Sequence, residues 1–176
     1  MFSNRFQKLT ALFLLLSGIF GVYILVEDAL IGPPQRLLWA DNWIWAPVPH
    51  ATALVVMVLV DFAVAGLVFA RPEKFVKIGL LWGFLQVLAM LLNPLTGSYY
   101  VEALLKAADE NPQLIVPAEL RDFLLGMDPA ARRSFLEQAF SPQSFAAYLF
   151  NIPGFVARLV SEIIVVVSGF LALKSK

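Results

Sequence analysis

The sequence predicts an all-α integral membrane protein: four transmembrane helices in a bundle, with an extracytoplasmic cap of short amphipathic helices between spans three and four. Three observations predict it. Of the 176 residues, 60% are hydrophobic and 15% charged, against about 45–50% and about 25% in an ordinary soluble domain. Four apolar runs have the roughly 17–25 residues that a hydrocarbon core of about 30 Å requires. The charges between the runs are distributed with opposite signs on alternate sides. The chain reads as a single membrane domain over residues 1–176, with spans at about 7–26, 49–70, 75–93 and 153–173 and outer segments at 27–48 and 97–150.

Span one follows a basic start, Met1 to Lys8, and ends at Glu27-Asp28. A secretory signal has a shorter apolar stretch, roughly 7–15 residues, followed by a small-residue cleavage site. The run from Leu9 to Val26 is therefore expected to be retained as a membrane helix. Span two begins near Pro49 and closes at Arg71-Pro72, and span three begins near Phe75 and closes at Asn93-Pro94. Span four opens at Pro153 in a first turn, with Asn151 as the expected N-cap.

Arg5, Lys8, Arg71, Lys74, Lys77, Lys174 and Lys176 flank one side of the spans, opposed by Glu73 alone. The other side carries Glu27, Asp28 and Asp41, then Glu102, Asp109, Glu110, Glu119, Asp122, Asp128 and Glu137. The positive-inside rule places both termini and the 71–77 turn in the cytoplasm of a cell that carries this chain in its plasma membrane.

The outer segment 97–150 is expected to hold three or four short helices. Ser98 to Ala108 has apolar residues at helical spacing, and Pro117 to Leu125 stops at Gly126. Asp128-Pro129 opens a helix to about Phe140, and Ser141-Pro142 opens another to Phe150, each with proline in the first turn. These stretches are amphipathic and are expected to lie on the membrane or on a partner. In segment 27–48, Trp39, Trp43 and Trp45 form an interfacial aromatic belt or an aromatic wall for a quinone or lipid.

Ionisable residues inside the spans are the main functional signal. Asp61 lies in span two; Arg158 and Glu162 lie one turn apart on the same face of span four. At about 1.5 Å per residue, Asp61 is about 18 Å, Glu162 about 14 Å and Arg158 about 8 Å from the outer ends of their helices. Gln86 of span three falls at the level of Asp61 and Glu162, so the four residues are expected to meet in one polar layer with Arg158 facing both carboxylates. An unpaired charge at the centre of a membrane helix costs about 2.5–3.5 kcal/mol on insertion scales. One carboxyl should therefore hold a proton, bind a cation or meet a positive group from a partner. The alternative is an ion-pair network that fixes helix register.

Small residues mark the packing faces: Ser17 and Gly21 in span one, Gly66 and Ala70 in span two, Gly79 and Gly83 in span three, Gly154 and Ser161 in span four. Such faces let membrane helices approach closely.

Other chemistry finds little support. Lys+Arg and Asp+Glu are equal at 13 each, so the total charge gives no sign of a nucleic-acid partner. The chain has no cysteine and one histidine, His50, read as interfacial or as a ligand shared with a partner. Phosphate-loop, HExxH and calcium-loop patterns are lacking, and no metal, cofactor or catalytic residue is expected.

Asp61, Ala65-Gly66-Leu67 and Arg71 form a hairpin of spans two and three that resembles DoxX-like four-span membrane proteins. Asp61 stands where that resemblance leads one to expect Glu, and segment 97–150 departs from it, so no functional residue is carried over. The sequence favours a non-catalytic accessory subunit of a larger membrane complex, of respiratory or oxidase type, with the bilayer and other membrane subunits as partners. The alternative is a small proton- or cation-coupled transporter or channel using Asp61, Arg158 and Glu162, with Gln86 and Asn93 lining the path.

Overall fold

The computed structural model describes residues 2–31, 50–115 and 118–175, and within them every regular element is helical. Long helices are α1 (Phe2–Ile31), α2 (His50–Ala70), α3 (Pro72–Leu92) and, at the end of the chain, α8 (Pro153–Lys174). Between α3 and α8 lie α4 (Gly97–Glu110), α5 (Ala118–Leu125), α6 (Pro129–Ala139) and α7 (Pro142–Phe150), with 3-10 turns at Asn93–Thr96 and Pro112–Leu114. Arg5–Val26, Pro72–Glu110 and Pro153–Lys174 are long and apolar enough to cross a membrane, whereas Leu54–Ala70 is a shorter apolar helix.

The chain divides into two compact units. The first comprises Met1–Ile24, Leu54–Leu91 and Ile152–Lys176; the second comprises Leu25–Ala53 and Leu92–Asn151.

In the first unit each helix buries one narrow stripe. On α3 the buried residues are Val76, Gly79, Gly83, Gln86 and Met90, alternating three and four apart as a helix seam does. The α2 stripe runs Val58, Asp61, Val64, Ala65 and Val68. That of α8 includes Gly154, Arg158, Ser161, Glu162, Val165, Ser168, Gly169 and Ala172.

What these stripes bury is unusual for a water-soluble bundle. Asp61 and Glu162 are 0% exposed, while Leu59 is 63% and Leu81 60% exposed. Polar groups lie inside and apolar ones outside, the arrangement that lipid rewards and water penalises.

Small residues set the close approaches. A Cβ on Gly79 would lie 3.2 Å from Thr10 Cγ2 and 3.3 Å from Val68 Cγ2, which is why α1 and α2 both reach α3 there. Gly21 admits Val58 of α2, Gly154 admits Tyr23 and Ile24 of α1, and Gly169 admits Leu80 of α3. Gly66 differs: no described residue lies within 4 Å of its Cβ position, so the packing residue of α2 is its buried neighbour Ala65. Thr10 and Ser168 hydroxyls meet at 2.9 Å, tying α1 to α8.

The second unit has its own core, formed by Val101, Leu104, Ala107, Ala108, Ile115, Leu124 and Leu136 with Leu105, Leu120 and Phe140 against it. The short helices thus bury apolar stripes against one another. Asp128 caps α6 by accepting from Ala130 N and Ala131 N at 3.0 Å, and Ser141 caps α7 through Ser144 N. Asn151 does not cap α8: Ile152 holds that position without a side-chain bond, and Asn151 closes α7. With only Asn151 and Ile152 between the two helices, Asn151 is spent on the end of the first. Gly97 is required where the carbonyl of Phe140 approaches its Cα too closely for any Cβ.

Candidate functional site

The site grows from Asp61. Its place on the buried stripe of α2 turns the carboxylate toward α1, α3 and α8, each of which supplies a donor. Asp61 Oδ1 accepts from Trp82 Nε1 at 2.6 Å and from Gln86 Nε2 at 2.8 Å. Trp82 and Gln86 are four apart on α3 and so share one side of it. Asp61 Oδ2 accepts from Arg158 Nη2 at 2.9 Å and from Ser17 Oγ at 3.3 Å. Four donors on one carboxylate match its roughly four lone-pair sites.

Arg158 is 2% exposed and donates a second bond, from Nε to Ser17 Oγ at 3.3 Å. Its guanidinium lies against Gly21, where a Cβ would stand 3.3 Å from Nη1. The small residue of α1 therefore makes room for the cation as well as for α2.

Glu162, one turn along α8, has sparser company. Its Oε1 is in hydrogen-bonding contact with Ser17 Oγ. Its Oε2 has no hydrogen-bond partner among the described residues, and neither has Gln86 Oε1. Both orphans are associated with the same face of α3: a Cβ on Gly83 would lie 3.2 Å from Glu162 Oε2, and Gln86 is the next stripe residue after Gly83.

The structure brings Asp61, Arg158, Gln86 and Glu162 into one network, but with a different wiring from the expected one. The ion pair joins Arg158 to Asp61; no Arg158–Glu162 pair occurs among the described residues. Asp61 and Ser17, on two facing helices, offer Arg158 acceptors for both Nη2 and Nε, so the planar fork reaches across the bundle instead of along its own helix. Ser17, expected only as a packing residue, links both carboxyls and the guanidinium. Ser161 turns back to its own helix, donating to Ala157 O at 2.9 Å. Asn93 serves its local turn, its Oδ1 accepting from Thr96 Oγ1 at 3.1 Å. Trp39, Trp43 and Trp45 lie outside the described residues, as does the side chain of His50.

Trp82 was missed as a site residue. Its position four residues before Gln86 was the available signal, since any residue there must share the face of the amide. Among the described residues no group of three or more His, Asp or Glu converges as a metal site.

An apolar exterior, a buried ionisable network and helices of membrane-crossing length together define a helical membrane protein with charged groups inside its bundle. No protein-family model, curated protein or solved structure matches the chain.

Proposed function

We propose that this chain is a small proton- or cation-coupled transporter or channel of the plasma membrane, working through the Asp61–Ser17–Arg158–Glu162 network. In this reading four helices cross the bilayer, both termini and the 71–77 turn are cytoplasmic, and segment 97–150 lies outside. The observation that carries it is Glu162, a second buried carboxyl that among the described residues has no ion-pair partner and one oxygen without a hydrogen-bond partner. A lock for helix register needs the Arg158–Asp61 pair alone. An additional ionisable group at such depth is costly, and such groups mark ion and proton pathways. Because Glu162 is 0% exposed, a neighbouring subunit does not reach it to supply the missing charge.

The test is flux of protons and alkali cations into liposomes containing the purified chain. Asp61→Asn and Glu162→Gln are each expected to lower flux at least tenfold while the protein still assembles. Normal flux in both variants would remove the proposal.

The second reading is a non-catalytic accessory subunit of a larger membrane complex, of respiratory or oxidase type. It is favoured by Phe123 and Phe135, which pair edge to face at 5.2 Å yet remain 50% and 36% exposed. Extraction in mild detergent, followed by native sizing and mass spectrometry of co-migrating chains, separates the two. Stoichiometric partners support the subunit; a lone chain or a homo-oligomer supports the transporter.

A further inference from the structure

We propose that Glu162 carries the exchangeable proton of the buried network, and that the site takes a proton in preference to a metal cation. This deepens the transport reading by naming what the site binds, and it rests on that reading only for the use made of the proton.

Counting hydrogens at Ser17 leads there. Ser17 Oγ accepts from Arg158 Nε and touches two carboxyl oxygens, Asp61 Oδ2 and Glu162 Oε1. A serine hydroxyl has one hydrogen and two lone pairs. It donates to one carboxyl; the other contact is a hydrogen bond only if that carboxyl brings its own hydrogen. Asp61 already accepts N–H bonds from Trp82, Gln86 and Arg158, a set of donors that suits an anion. Glu162 receives no N–H donor among the described residues. The hydrogen therefore belongs to Glu162, which donates from Oε1 to Ser17 Oγ, while Ser17 donates to Asp61 Oδ2. Both lone pairs and the one hydrogen of Ser17 are then used, and the network is electrically neutral: Arg158 positive, Asp61 negative, Glu162 uncharged.

The donor set argues against a metal ion. A hard cation such as calcium takes about six to eight oxygen ligands, and magnesium six. The unengaged side-chain acceptors here are Glu162 Oε2 and Gln86 Oε1, and Gly83 already closes on the first of them.

Charged groups around Glu162 are Asp61 from α2 and Arg158 from α8 itself. Facing it, α1 presents Ser17 and α3 presents Gly83, with Trp82 and Gln86 in the same network, none of which titrates near neutrality. Tyr23 lies farther off, at Gly154, two helical turns along α8. When Glu162 loses its proton, two anions compete for one hydroxyl hydrogen. Arg158, one turn away on the same helix, is the cation that must then divide between them.

Infrared spectroscopy of the full chain in lipid nanodiscs tests this directly. A C=O band of a protonated carboxylic acid is expected at neutral pH, shifting in D2O. It should move when glutamate is carboxyl-labelled with a heavy carbon isotope, stay when aspartate is labelled, and disappear in Glu162→Gln. Labelling the wild-type chain keeps the assignment independent of whether that variant folds. In Ser17→Ala the band should shift, since its acceptor is gone. The proposal is overturned if no band appears, if it follows aspartate labelling, or if sodium or potassium removes it at constant pH. A glutamate band without proton flux would defeat the transport reading and leave the proton on Glu162.

Discussion

Arg158 holds both acceptors that define the site, so the consequences of replacing it follow from what is left behind. Arg158→Leu strands Asp61 without its counter-charge at a fully buried position, and breaking a buried pair this way costs about 3–5 kcal/mol. Removing both charges, as in Asp61→Leu with Arg158→Leu, should recover a large part of that loss, because no uncompensated charge remains. Denaturation in mixed micelles measures both, and a double variant no more stable than the single one would contradict the ion-pair account. Glycines give a second contrast. A Cβ on Gly83 would lie 2.5 Å from Val165 Cγ1, so Gly83→Ala should separate α3 from α8 and destabilise by about 1–3 kcal/mol, as overpacking does. Gly66 faces open space, and Gly66→Ala should be neutral or stabilising by up to about 1 kcal/mol through helix propensity. The two midpoints, compared in the same detergent, check the assignment of packing faces.

Among the elements, α5 depends most on a single side chain outside itself. Arg132 of α6 is 7% exposed and donates from Nε to Leu124 O at 2.8 Å and from Nη2 to Met127 O at 3.5 Å. These carbonyls lie at and just after the end of α5, where Leu124 O takes only a 3.3 Å turn bond from Met127 N besides Arg132, and a cation is favoured at such a terminus. A third bond, from Nη1 to Asp109 Oδ1 at 3.0 Å, ties in α4. Arg132→Met keeps much of the bulk and removes the donors, leaving Leu124 O with only its 3.3 Å bond from Met127 N and losing charge-assisted bonds worth about 1.5–3 kcal/mol. Hydrogen exchange over 118–139 should accelerate accordingly, while exchange in α1 and α8 stays unchanged; equal acceleration everywhere would argue against a local clamp. By contrast, the Arg133–Glu102 pair at 2.8 Å has partners 50% and 61% exposed, and such surface pairs are worth little.

For the whole molecule, the proposed four-span topology leads to a labelling experiment that this chain is suited to, since it has no cysteine. Single cysteines placed at Arg5, Arg71 and Lys174 should react with a membrane-impermeant reagent only after the membrane is opened. Cysteines at Lys106 and Arg133 should react in intact cells. Labelling of positions 71 and 106 from the same side would contradict the proposed topology. It would exclude α3 as a span, even though Pro72–Glu110 is long and apolar enough to cross a membrane.

The sequence by itself determined that the chain is helical and built for lipid, because span length, terminal prolines and apolar composition are local properties that do not depend on how helices meet. It also located Asp61, Gln86, Arg158 and Glu162 in one layer, since helical rise converts residue number to depth. Partner choice was beyond it. Depth does not say that Arg158 passes over Glu162 to bond Asp61, or that Ser17 becomes the link between two carboxyls. Nor does it say that Trp82 supplies Asp61 with a donor or that Gly66 faces outward. The short helices likewise showed amphipathic stripes without showing that the stripes meet around Leu104, Leu124 and Leu136. These are decided by the rotation of each helix about its axis and the pairing of faces, which depend on all the packed neighbours together, and only the tertiary structure contains them.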